Sequence, residues 1–161
     1  MTSSSSICTL LWFESGLDSA LEFYKSVFGA DLVVHSQQKM GVSLFLAEYS
    51  ILGHRFTGMC SPGGPNFSDA ISLQLKVDGQ EEVDRIWEAL ALEGEAKKCG
   101  WIRDKFGVAW QIIPHQMAEF VGHPDSNIAQ RNWAVLRGMT KITLCDFVKC
   151  GSAQEEAWPA G

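Results

Sequence analysis

The same order of strand and helix signals occurs twice in this chain, and a single Pro/Gly-rich connector, Ser61-Pro-Gly-Gly-Pro-Asn-Phe-Ser68, separates the two copies. In the first, Ile7-Cys-Thr-Leu-Leu-Trp-Phe13 is an apolar, aromatic run that predicts a strand. Ser15-Gly-Leu-Asp18 then has a capping-box pattern. Leu17, Ala20, Leu21, Tyr24, Val27 and Phe28 recur at helical spacing and Gly29 closes the helix. Strands are expected over 31–35, 42–49 and 54–60, with Gly41 and Gly53 in the turns. After the connector the order restarts. Ala70-Ile-Ser-Leu-Gln-Leu-Lys-Val77 alternates, and Asp78-Gly-Gln-Glu81 is a second capping box. Val83, Ile86, Trp87 and Leu90 form a helical stripe that ends at Gly94. A strand over 96–99 and a hairpin around Asp104-Lys-Phe-Gly107, joining Trp101-Ile-Arg to residues 108–113, follow.

One helix per copy cannot both cover a sheet and close it, so the two sheets are expected to pair around a shared cup, within one chain or across a dimer. The fold class is therefore α+β: paired βαβββ modules forming a cupped, mostly antiparallel sheet, with a helical C-terminal extension. The boundaries read as a disordered tail over 1–6, a domain over 7–121 (modules about 7–60 and 70–114), a helical extension over 122–150 and a loose tail over 151–161. Helices are expected over 115–121, 127–138 and 143–149.

A net charge of −6 with no basic stripe argues against nucleic-acid partners and against adhesion to anionic lipid. No apolar run reaches membrane-spanning length. The five cysteines are odd in number, contain no CxxC, and follow no secretion signal, so the expectation is a cytoplasmic chain with thiols acting as small hydrophobes.

Four segments together resemble the PhnB-like family of the vicinal oxygen chelate (glyoxalase, bleomycin-resistance, extradiol dioxygenase) superfamily. They are Leu11-Trp-Phe-Glu14 with Glu22-Phe-Tyr24 and Phe28-Gly29; Phe56-Thr57 leading to Gly63-Gly-Pro65; Asp69-Ala-Ile-Ser-Leu-Gln74 with the run from Gln80 to Trp87; and Cys99-Gly-Trp-Ile-Arg-Asp-Lys-Phe-Gly-Val-Ala-Trp-Gln-Ile-Ile-Pro114, the most specific. The resemblance implies the paired βαβββ fold and a homodimer, but no one reaction, because the superfamily includes enzymes and non-enzymatic binders. A methyltransferase label is common for such proteins, yet this chain has no glycine-rich strand-to-helix turn for a methyl donor.

The resemblance also locates the positions where metal-dependent members carry His or Glu. Here they fall on Gln111, on Ala70 or Ser72, on Cys8 or Leu10, and on Gly58 or Cys60, and His35, His54, His115 and His123 lie elsewhere. No metal and no other cofactor is expected. Strand alternation places Ala109, Gln111 and Ile113 toward the cup and Trp110 and Ile112 under a helix. Ile71, Leu73 and Leu75 are expected to face the helix, with Ser72 and Gln74 facing the cup. The candidate ligand-binding residues are Trp12, Phe56, Cys60, Ser72, Gln74, Trp101 and Gln111, an apolar set with a few hydrogen-bonding groups that suits a small organic, possibly aromatic, ligand. Trp12 and Trp101 read equally well as core, and Gln111 has Ser72 or Gln74 as an alternative to a ligand. Cys60 stands where the family often has Asn, with Ser61-Pro62 added after it, and its inert reading is favoured. His35, His54 and Glu48 are expected near strand ends, and Arg103 and Asp104 as a surface pair.

No catalytic residue stands out. The reading that follows is a small-molecule-binding protein acting as a metal-independent isomerase, lyase or cyclase. The alternatives are a ligand-sequestering, resistance-type binding protein and a divalent-metal-dependent lyase or dioxygenase.

Overall fold

The computed structural model describes residues 5–147, and the chain divides into two compact units, residues 1–66 and 67–161. The expected tail over 151–161, the first four residues, Cys150 and the end of the expected last helix lie outside the described residues.

The first unit runs β1 (Thr9–Phe13), α1 (Leu17–Phe28), a 3-10 turn (Gly29–Asp31), β2 (Leu32–Met40), β3 (Ser43–Ile51) and β4 (His54–Cys60). The sheet order is β1-β4-β3-β2. β1 pairs parallel to β4, and the other two pairings are antiparallel. The six stripe residues of α1 are all buried. Each of the Leu, Val and Phe side chains among them contributes about 1.5–3 kcal/mol of burial. Leu17 packs so close to β4 that a Cβ on Gly58 would sit 2.6 Å from its Cδ1, so the Leu17 side chain would have to shift to admit a larger residue there. Tyr49, fully buried, stacks on Phe56 with ring centroids 5.3 Å apart.

The second unit runs β5 (Leu73–Val77), α2 (Gly79–Ala91), β6 (Glu95–Ala96), β7 (Trp101–Arg103), β8 (Ala109–Pro114), α3 (Met117–Val121) and α4 (Ser126–Gly138), with a further helical stretch over 144–147. The sheet order β5-β8-β7-β6 repeats the first unit's topology, again with one parallel pairing, β5 to β8. The glyoxalase-type α+β architecture is present as two mixed four-stranded sheets. Val83, Ile86, Trp87 and Leu90 are buried on α2 as the stripe requires.

Local details depart from the sequence reading. Neither capping box forms. α1 starts from Gly16 in the left-handed region, which pushes Ser15 out of the capping position, and Asp78 precedes α2 without a side-chain cap. Among the described residues the one carboxylate cap belongs to Asp125, which accepts from the Asn127 and Ile128 amides. β5 begins at Leu73 rather than at Ala70, so Ile71 is 79% exposed instead of facing the helix. β6 ends at Ala96, and β2 extends to Met40 because the hairpin through Gly41 continues the pairing with β3.

Candidate functional site

The seven candidate residues divide between the units. In the first, strand phase decides. Leu11 and Phe13 are buried on the face that α1 covers, and their register partners on β4 are Gly58 and Cys60. Phe56 shares that phase and packs on Tyr49. Phe56 and Cys60 therefore lie on the helix-covered side, the reverse of the sequence expectation. The residues of β4 with the opposite phase are Thr57 and Met59. Trp12 occupies the uncovered face with Leu10. Its indole Nε1 donates to the Ser61 carbonyl at 2.8 Å, and the ring lies against Gly64, so the connector holds it.

In the second unit the sheet brings Ser72, Gln74, Trp101 and Gln111 together. Gln111 sits between Gln74 and Trp101 in register. Gln74 Nε2 donates to Gln111 Oε1 at 2.9 Å, and Gln111 Nε2 donates to the Cys99 carbonyl at 3.3 Å. Trp101 Nε1 donates to Ser72 Oγ at 3.1 Å. Gln111 is 8% exposed, so both ends of its amide are held inside a largely dry environment. Gln74 is exposed and keeps its own carbonyl oxygen and a second N–H available on the same face. Nothing in this quartet ionises near neutral pH.

Charge gathers at one end of this face. Asp69 accepts from Arg103 Nη2 at 2.7 Å and pairs with Lys97, while Glu95 lies 3.7 Å from Arg103 and 3.8 Å from Lys97. Hydrogen bonds from Lys97 and then from Arg103 hold the Asp69 carboxyl below its ordinary range, and Asp69 raises the Arg103 guanidinium in return. Arg103 thus pairs with Asp69, not with Asp104. Asp104 is buried, 3% exposed, and accepts from the Phe106 and Val108 amides and from Trp110 Nε1. The motif through Asp-Lys-Phe-Gly signalled that turn but not its burial.

Four further titratable groups have local partners. His35 and Glu48 lie in mid-strand rather than near strand ends, His35 with Ser50 and Glu48 accepting from Ser36. His54 meets Thr9, and the His123 ring accepts from the Asp125 amide. Among the described residues no three of His, Cys, Asp and Glu gather as a group that could hold a metal ion. At Gln111, where a ligand carboxylate is usual in metal-dependent members, the oxygen already accepts from Gln74. The donor set does not fit a resident divalent cation. Among the described residues no helix is long and apolar enough to cross a membrane.

Two mixed four-stranded sheets of this order place the chain in the glyoxalase class of folds. A family model described as 3-demethylubiquinone-9 3-methyltransferase matches residues 5–113, and the chain belongs to that PhnB-like family. It is similar to the structure of a PhnB protein from Bacillus cereus, with 26% identity, a TM-score of 0.62 and coverage of 68% of this chain and 99% of that one. A protein from Pseudomonas aeruginosa matches at 22% identity and a TM-score of 0.57, covering 69% and 98% of the two chains. The fosfomycin resistance protein FosX from Listeria monocytogenes matches at 16% identity and a TM-score of 0.52, over 69% of this chain and 93% of that one. The last two likenesses are of fold alone. No curated protein matches.

Proposed function

We propose that the chain binds a small, neutral, planar organic molecule on the Gln74–Gln111 face of the second unit's sheet and transforms it without a metal, as an isomerase, lyase or cyclase working through desolvation and hydrogen bonds. The observation that carries this reading is the Gln74–Gln111 amide pair beside the Trp101 indole. Gln111 is immobilised by Gln74 and Cys99, so Gln74 is presented by a fixed partner. Its free oxygen and N–H form an acceptor and donor side by side, which match a carboxamide or lactam edge, and an indole suits a conjugated ring. Preorganised neutral donors stabilise charge that develops on a bound carbonyl oxygen. The family's description as a methyltransferase is not adopted, because no glycine-rich turn for a methyl donor is present between β1 and α1. The protein works in this reading as a cytoplasmic homodimer with no nucleic-acid or membrane partner. Sequestration without turnover is the second reading, favoured by the lack of a titratable group in the quartet.

The test is calorimetric titration of the purified protein with nicotinamide and a set of planar lactams, alongside elemental analysis. Saturable binding is expected, weakened about tenfold or more by Gln74→Leu, which loses a hydrogen bond worth about 1.4 kcal/mol. Equal binding by the variant, or stoichiometric bound zinc, iron, manganese or nickel, overturns the reading. Product formation that persists in chelator separates the enzyme from the sequestering protein.

A further inference from the structure

The segment that follows α4, residues 139–147, returns to the sheet and is held there by contacts of several kinds. The Cys99 amide donates to the Met139 carbonyl at 2.9 Å, and the Gly100 amide donates to the Thr140 carbonyl at 2.9 Å. Ile142 is fully buried, and its side chain lies against Gly100. It joins Met117, Leu136 and Phe147 in a core cluster against which Cys99 and Ile113 pack.

The segment is also gripped from α2 by one side chain. Gln80 Nε2 donates to the Ile142 carbonyl at 3.0 Å, and Gln80 Oε1 accepts from the Leu144 amide at 2.8 Å. The same Nε2 donates to Asp84 Oδ1 at 3.0 Å, and Asp84 pairs in turn with Lys141 at 2.5 Å. Both ends of one amide thus bridge two backbone groups of a segment more than sixty positions along the chain (|i−j| 62 and 64). An amide suits this double backbone grip, since it presents a donor and an acceptor together, which neither a carboxylate nor an ammonium group can do.

What the segment holds is the carbonyl that orients Gln111. Cys99 lies at φ 58 and Gly100 at φ 78, two successive residues in the left-handed region. For Cys99 this conformation is unfavourable and persists only where neighbours impose it. Cys99 and Gly100 are the central residues of a tight turn that the Trp101 amide closes on the Lys98 carbonyl at 3.2 Å, and the bonds from the Cys99 amide to Met139 and from the Gly100 amide to Thr140 pin that turn to the returning segment. With the backbone so turned, the Cys99 carbonyl accepts from Gln111 Nε2, and the Gly100 carbonyl accepts from the Ile112 amide.

We infer that Gln80 is a positioning residue for the Gln74–Gln111–Trp101 site: it latches residues 139–147 onto the Cys99–Gly100 turn and so fixes the carbonyl that aims the Gln111 amide. The assignment of that site as a ligand site rests on the reading above, whereas the latch itself does not. Because the segment and the amide pair share the Cys99 peptide, release of one loosens the other, and a ligand that needs the ordered amide pair favours the latched state.

Amide hydrogen exchange and NMR of the full chain test this without any ligand. Gln80→Ala is compared with Gln80→Glu, which keeps the acceptor for Leu144 but loses the donor for Ile142. In Gln80→Ala the Leu144, Cys99 and Gly100 amides are expected to exchange at least tenfold faster, and the Gln111 side-chain amide signals to shift. The Leu75 amide and the amides of the first unit keep their protection. In Gln80→Glu the second carboxylate oxygen faces Asp84 and the Ile142 carbonyl, so the Leu144 protection is expected to fall as well, though less than in Gln80→Ala. Loss at Leu144 with Cys99, Gly100 and Gln111 unchanged overturns the coupling. Uniform loss across the second unit also overturns it, because Gln80 would then be a stabilising residue only. Failure of the binding reading shows separately, as absence of nicotinamide or lactam binding to a wild-type protein whose latch behaves as described.

Discussion

Replacing Asp104 is expected to be among the most damaging changes of a carboxylate in this chain. Its Oδ1 accepts from the Phe106 amide at 2.9 Å and from the Val108 amide at 3.0 Å, and its Oδ2 accepts from Trp110 Nε1 at 2.9 Å. Val108 and Trp110 are each 3% exposed, so water cannot replace the carboxylate for those two donors. Phe106 is only part-buried, and its amide can turn to solvent. An orphaned buried donor costs about 1–3 kcal/mol, and two of them about 2–6. Part of that is offset because a desolvated carboxylate is removed. Asp104→Ala is therefore expected to cost about 3 kcal/mol, a large share of the roughly 5–15 kcal/mol that holds a domain together. In urea, at a slope of about 2 kcal/mol per molar, the unfolding midpoint falls by about 1.5 M. Asp104→Asn keeps one oxygen for the two backbone amides but turns an NH2 toward the indole N–H, and is expected to cost about half as much. An Asp104→Ala midpoint within about 0.5 M of the wild type refutes the argument, as does an Asn variant as damaged as the Ala one.

Two further outcomes follow from the same unit. Gly100→Ala places a Cβ 2.6 Å from the Ile112 carbonyl oxygen at φ 78, so strain and collision together are expected to cost about 2–4 kcal/mol and to lower Tm by roughly 5–15 °C in a thermal melt; an unchanged Tm contradicts the turn described here. Asp69 titrates below its ordinary value of 3.8, held down by hydrogen bonds from Lys97 and Arg103, with Glu95 the other charge facing them. A depressed carboxylate stabilises fully above its unfolded value and less as pH falls through its folded one, so the tie between residue 69 and the sheet persists down to about pH 3.8 and is lost below it. Followed by NMR, the Trp101 indole N–H bonded to Ser72 should hold its position at neutral pH and move only in that acid window; Asp69→Asn should remove the acid transition, and a midpoint above 3.8 would contradict the pairing.

Periodicity made α1 and α2 legible because their apolar stripes are complete: each residue of the stripes at Leu17 to Phe28 and Val83 to Leu90 is buried. Alternation made the amide pair legible for the same reason. Gln74 and Gln111 carry polar groups on alternating strands, and parallel pairing puts them side by side. Phe56 and Cys60 were misplaced because alternation fixes which residues share a face but not which face the helix covers. That choice depends on Leu17 reaching Gly58, a contact between distant positions.

The first capping box failed because α1 starts from Gly16 in the left-handed region, and Asp78 stands at the start of α2 without a side-chain cap. The sequence by itself determined the doubled strand–helix order, the family and the residues able to supply neutral hydrogen bonds, since these depend on near-neighbour spacing and side-chain chemistry. Only the tertiary structure decided that Asp69 rather than Asp104 answers Arg103, that Asp104 is buried under Trp110, and that Gln80 holds residues 139–147 against Cys99. The Asp69 and Gln80 pairings join groups far apart along the chain, and nothing in local spacing encodes which distant backbone a folded sheet will bring to a side chain.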